Sequence, residues 1–274
     1  MNYFKLDGFF GSATPPSGQL PIMEAATKLL DELRSIDNDL FINITIGSWP
    51  SPFWLNLVDC TWRGGADMDM MGVGTKSQQW ITYRDAITYK NIVKGSPLYP
   101  LNSLMVQGIA YANHHRASAE GMINDSEKDF KDQVHSFFGA GYNVQELYIS
   151  QDRMTKPYWD ALAEAAKWSR ENESIFIDAH WIGGNPEELQ VYGWASWQPQ
   201  KGIITLRNPS DSKQKFTINL QEHLELPNEY FGKYLIKSKW GSETETSEII
   251  SSENIHEIEL VPFEVKILEI FPSN

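Results

Sequence analysis

One cysteine, Cys60, stands in 274 residues, so an internal disulfide is excluded. Basic residues are also scarce: 23 Lys and Arg against 36 Asp and Glu leave a formal net charge of −13. A field of that sign repels phosphate, which excludes nucleic acid and anionic membrane surfaces as main partners. No apolar run approaches the ~20 residues that a membrane-spanning helix takes. Met1-Asn2-Tyr3-Phe4-Lys5 lacks the pattern of a signal peptide, and the compartment is left open. Histidine is rare, and the adjacent His114 and His115 cannot both face one metal ion. Gly72-Val73-Gly74-Thr75-Lys76-Ser77 lacks the residue order of a phosphate loop. The pair Asp67 and Asp69 is flanked by Met68, Met70 and Met71, not by the oxygen ligands that Mg²⁺ or Ca²⁺ demand. Neither a metal nor a cofactor is expected.

Aromatic residues are abundant, at 12% with 10 tryptophans. Indole stacks on the C–H face of a sugar ring, although any single tryptophan is more often a core residue. Trp49 is the exception by position, because Gly47-Ser48 before it and Pro50 after it would hold it as a rigid platform at a strand end.

Residues 3–7 read as a short buried strand ending in a carboxylate and a glycine. Pro21 opens a helix whose apolar positions Ala25, Leu29, Leu30 and Leu33 recur at helical spacing up to Ile36. The β-branched run 40–46 is a strand stopped by Gly47, and it makes the sequon Asn43-Ile44-Thr45 an unsuitable glycosylation site. Helices are expected over 80–94, 127–138 and 158–171, with a strand over 146–149. Strands alternating with helices imply a parallel sheet with crossover helices. From Ile175 the helical period gives way to short alternating runs at 191–197, 202–207, 215–220, 233–239, 257–260 and 263–271. That spacing predicts an antiparallel β-sandwich. The expected fold class is therefore α/β followed by all-β, with domains over 1–173 and 174–274. A complete (β/α)₈ barrel takes about 250 residues. The α/β part shows only four or five strand–helix units, so a partial barrel, its second half, is expected. Open strand edges invite pairing, and self-association through the open barrel edge is expected with them.

Two aspartates carry the chemistry. Asp7 follows Lys5-Leu6 and precedes Gly8; Asp67 closes Trp62-Arg63-Gly64-Gly65-Ala66-Asp67. Carboxylates at the ends of neighbouring barrel strands suit glycoside cleavage, one as nucleophile and one as general acid and then base. Each also has a structural alternative: Asp7 as the cap of a turn, Asp67 as a loop acid paired with Arg63.

Lys5-Leu6-Asp7-Gly8, Gly47-Ser48-Trp49-Pro50-Ser51 and Trp62-Arg63-x-x-x-Asp67 occur in register, with the aspartates 60 positions apart. In these motifs the chain resembles the retaining α-galactosidases and α-N-acetylgalactosaminidases of glycoside hydrolase family 27, in clan D. The resemblance implies a nucleophile, Asp7, on the fourth barrel strand, a recognition loop after the fifth, and an acid/base, Asp67, after the sixth. It implies that Lys5 contacts a sugar hydroxyl or steadies the Asp7 anion. It further implies that Arg63, Ser48 and Ser51 face the substituent at sugar C2, where two serines lean toward N-acetylgalactosamine over galactose. Pro100-Leu101-Asn102-Ser103-Leu104-Met105 is a distant echo of the segment that follows the seventh strand in that family. The family's first three strands have no counterpart here. The expected partner is a carbohydrate with a terminal α-linked galactose or N-acetylgalactosamine. The alternative is a non-catalytic carbohydrate-binding or interaction protein that retains the sugar-facing residues.

Overall fold

A computed structural model describes residues 2–7, 16–45, 51–113, 126–242 and 247–273, with 16–20 by backbone alone. The N-terminal sheet has five parallel strands in linear order: β1 (Tyr3–Leu6), β2 (Phe41–Ile44), β3 (Cys60–Trp62), β4 (Leu104–Tyr111) and β5 (Val144–Ile149). Helices α1 (Pro16–Ile36), α2 (Lys76–Thr88), α3 (Glu127–Gly139) and α4 (Lys156–Glu171) lie between or after them. The unit is the expected partial (β/α)₈ barrel: a curled half-barrel followed by antiparallel sheets.

Side-chain patterning explains the layers. Ile42 and Ile44 are fully buried and pack with Leu30 of α1, Leu40 and Val58. α3 begins with a capping box, in which the Ser126 hydroxyl accepts from Asp129 N and Asp129 accepts in return from Ser126 N. From there Phe130, Val134, Phe137 and Phe138 enter the largest core cluster with Tyr158, Leu162 and Trp168. Gly108 lies where the β4–β5 register shifts. A Cβ there would come within 2.4 Å of the Phe137 ring, so only glycine lets α3 approach the sheet.

The structure departs from the sequence expectations at several points. β4 was not foreseen: every one of its residues is buried, so it lacks the alternation that marks a strand. β3 spans three residues and is too short to show a period. The helix expected over 80–94 is α2 followed by a single π turn, Tyr89–Val93. Pro21 lies inside α1, not in its first turn.

The C-terminal part is an antiparallel sandwich. β6 (His180–Gly183), β7 (Tyr192–Gln198), β8 (Lys201–Arg207), β10 (Lys233–Trp240), β11 (Ser247–Ser251) and β13 (Val265–Ser273) form one sheet, in the order β11-β10-β13-β8-β7-β6. β9 (Gln214–Asn219) and β12 (Ile255–Leu260) pair as the second. The large sheet contributes Tyr192, Trp194, Ile203 and Ile267 to the barrel-side core; Ile204, Leu206, Leu268 and Ile270 join the core under β9 and β12.

A buried polar network joins α2 to the sandwich. Arg84 pairs with Asp85 at 2.8 Å, both side chains fully buried, and Asp85 accepts from the Tyr192 hydroxyl at 2.7 Å. Arg207 donates to Tyr192 Oη, Thr82 Oγ1 and Gln78 Oε1.

Candidate active site

Five parallel strands bring their carboxyl ends to one place, the end of an α/β sheet where ligands bind. Asp7 follows the last residue of β1. Thr45, just beyond β2, donates its backbone N–H to Leu6 O at 3.0 Å and its hydroxyl to the same oxygen at 3.4 Å, fixing the turn at Asp7. Beyond β3 the chain turns through Gly64 and Gly65, both at positive φ, which glycine adopts without strain.

Arg63 shapes that turn from inside. Its fully buried guanidinium donates to Gly64 O at 2.6 Å and to Ala66 O at 3.2 Å, and lies over the Tyr83 ring. The Tyr83 hydroxyl in turn accepts from Ala66 N at 3.1 Å, and Asn91 Nδ2 donates to Arg63 O. Burial lowers the Arg63 guanidinium from its ordinary range, and Tyr83 opposes the fall. The loop thus delivers Asp67 to the sheet end, where Gln107 Nε2 of β4 donates to its Oδ1 at 3.4 Å. The same Gln107 accepts from Trp62 Nε1 at 3.2 Å.

Lys5, Asp7, Thr45, Trp62, Asp67, Met105, Gln107 and Tyr148 line one cavity of about 160 Å³. β1 and β5 are opposite edges of the sheet, yet Lys5 Nζ meets Glu146 Oε1 at 2.6 Å. Tyr148, two residues along β5, donates to Glu146 Oε2 at 2.5 Å. The sheet therefore curls until its first and last strands bond across the opening. Burial raises the Tyr148 phenol, and the bond to Glu146 with the charges of Glu146, Asp67 and Asp7 raises it further. The three carboxylates act on one hydroxyl.

Among the residues anticipated from sequence, Lys5, Asp7 and Asp67 come together. Arg63 does not line the cavity; it is a strut beneath the loop, because its guanidinium is spent on backbone carbonyls. Ser51 does not line it either. Its hydroxyl accepts from Phe53 N and caps the 3₁₀ turn Pro52–Asn56. Ser48 and Trp49 lie outside the described residues, as do His114 and His115. The echo at 100–105 precedes its strand and does not follow it: Leu101–Ser103 is a turn leading into β4, and Met105, within β4, lines the cavity.

Gln107, Glu146 and Tyr148 were missed. Gln107 is a polar residue within a fully buried strand, and Glu146 and Tyr148 share one face of β5 at the strand period of two. Those are signals a sequence carries once the strands are known. Among the described residues no cluster of His, Cys, Asp or Glu could hold a metal ion.

No family model matches the chain, and no curated protein matches it by sequence. Solved structures do. A GH27 β-L-arabinopyranosidase from Geobacillus stearothermophilus, in complex with arabinose, superposes over 100% of this chain at TM-score 0.65 and 10% identity. An Anoxybacillus α-amylase matches over 100% at TM-score 0.58 and 11% identity. A GH36 α-galactosidase from Geobacillus stearothermophilus, in complex with raffinose, matches over 99% at TM-score 0.61 and 10% identity. The chain spans 59%, 60% and 35% of those three chains respectively. Its fold is thus one found in glycoside hydrolases: the later part of a barrel and the sandwich that follows.

Proposed function

We propose that the chain carries the catalytic pair of a retaining α-glycosidase acting on a terminal α-linked galactose or N-acetylgalactosamine. The observation that carries this is the meeting of Asp7 and Asp67, from the ends of β1 and β3, on the wall of one cavity. Asp7 would attack the anomeric carbon while Asp67 gives its proton to the departing oxygen; water then hydrolyses the glycosyl–Asp7 ester with Asp67 as base. The motif order of family 27 favours clan D over the amylases, whose solved structures share the fold.

The Lys5–Glu146 pair favours a second reading, a carbohydrate-binding protein without turnover, because it occupies the cation that would hold a sugar hydroxyl. Hydrolysis of an aryl α-galactoside, abolished by Asp7→Asn, supports the catalytic reading. Saturable galactose binding with no turnover supports the second.

A further inference from the structure

We propose that the cavity between the two sheets of the C-terminal sandwich binds a medium-chain aliphatic carboxylate. It measures about 360 Å³, within the ~300–1,000 Å³ of small-molecule sites. Ile218, Ile236, Ile250, Ile258 and Leu268 form its walls, and among the described residues no Phe, Tyr or Trp lines it. Branched aliphatic walls without a flat ring suit a hydrocarbon chain and give a sugar face nothing to stack on.

Three polar side chains in this lining are under-used. Ser238 pairs in register with Leu268, and Lys266 lies two residues before Leu268 on the same face of β13. His256, opposite Ile218 in the second sheet, lies across the cavity from them. Lys266 is 7% exposed, and among the described residues its ammonium pairs with Glu264 Oε1 at 3.5 Å. That Glu264 carboxylate already accepts from Ser242 N, Ser242 Oγ and Val261 N, each at 2.8 Å. Ser238 Oγ and His256 Nε2 are shut off from solvent with no hydrogen-bond partner among the described residues.

A buried ammonium with spare N–H groups, a hydroxyl and an imidazole nitrogen offer several donors to one acceptor-rich group. A carboxylate head pairs with the ammonium, and a small shift of the Ser238 and His256 side chains brings their unpartnered atoms to it, while its chain covers the isoleucines. The acidic residues of the lining do not cancel this. Glu257 and Glu259 pair outward with Lys215 at 2.6 Å and Lys213 at 2.7 Å. Glu248, exposed on β11, has no ion-pair partner among the described residues. Its charge opposes an anion at the mouth, so Glu248→Gln is expected to tighten binding.

The test titrates octanoate, with octanol in parallel, into the full chain by calorimetry. Saturable one-to-one binding of octanoate, tighter than octanol, is expected. Lys266→Met keeps the stem and removes the charge; it should weaken octanoate about tenfold or more and leave octanol unchanged. Ser238→Leu fills the cavity and should abolish both, which decides the matter if Lys266→Met fails to fold. Absence of saturation, octanol binding as tightly as octanoate, or octanoate binding that survives Ser238→Leu would each overturn the proposal. None of these outcomes depends on glycoside turnover.

Discussion

Asp7 and Asp67 should respond differently to substitution, because their proposed roles differ. Asp7→Asn removes the attacking oxygen and should lower turnover of an aryl α-galactoside by at least about a thousandfold. Gln107 touches both Trp62 and Asp67, so Gln107→Met should let the Asp67 carboxyl drift. A loss in kcat of about ten- to a hundredfold with little change in KM is expected, since misplacement costs the chemical step. Steady-state kinetics separate these outcomes. That Asp7 and Asp67 meet at one cavity was legible in the sequence, because a lysine, a glycine or an arginine–glycine turn marks each strand end. Arg63 was legible as important but not in its role: whether a guanidinium faces a cavity or its own loop depends on packing that the motif does not encode. A second residue makes a pH prediction. His135 lies flat on the Trp240 indole, 4.4 Å between centroids, and burial with the charges of Lys131 and Lys239 lowers it from 6.5 to about 3. The unfolded chain therefore binds a proton that the fold refuses. Stability is fully present above about pH 6.5 and falls as pH drops toward 3. Urea unfolding at pH 7 and pH 5 should show this slope, of the order of 1 kcal/mol for a partly exposed ring, and His135→Phe should flatten it.

At the scale of elements, α2 binds barrel to sandwich through its buried polar network. Arg207→Met would leave Gln78, Thr82 and Tyr192 without their buried donor, while Asp85 keeps its pair with Arg84. A loss of about 3–5 kcal/mol is expected for breaking such a network, measurable by denaturant unfolding. A single transition unchanged in midpoint would show that the network contributes nothing to the joint. Gly108→Ala drives a methyl into the Phe137 ring and should cost about 1–3 kcal/mol by overpacking. Elements with a clear period, such as α4, were readable because one face is buried, and β7 and β8, buried on both faces, were readable from the turn clusters that bound them. β3 and β4 were not, the first for brevity and the second because burial on both faces erases alternation. The sheet partners of β9 and β12, which close the aliphatic cavity, are long-range pairings with no local mark.

At the scale of the molecule, the half-barrel curls so far that Lys5 on one edge strand reaches Glu146 on the other. The bridge screens the opening, yet among the described residues the backbone of β1 and of β5 still lacks a second strand within this sheet. Glu146→Gln should therefore raise association in light scattering, while an unchanged monomer would show that side chains are not what close the curl. The central claim is that the two aspartates form a nucleophile and acid/base pair across this opening. It is tested most directly by mass spectrometry of the Asp67→Ala chain incubated with a 2,4-dinitrophenyl α-galactoside. Its leaving group departs without an acid, and the missing base leaves the intermediate to accumulate. The account predicts a burst of dinitrophenol and one hexosyl group esterified to the peptide carrying Asp7. An unlabelled chain, or a label that persists after Asp7→Asn, would contradict it.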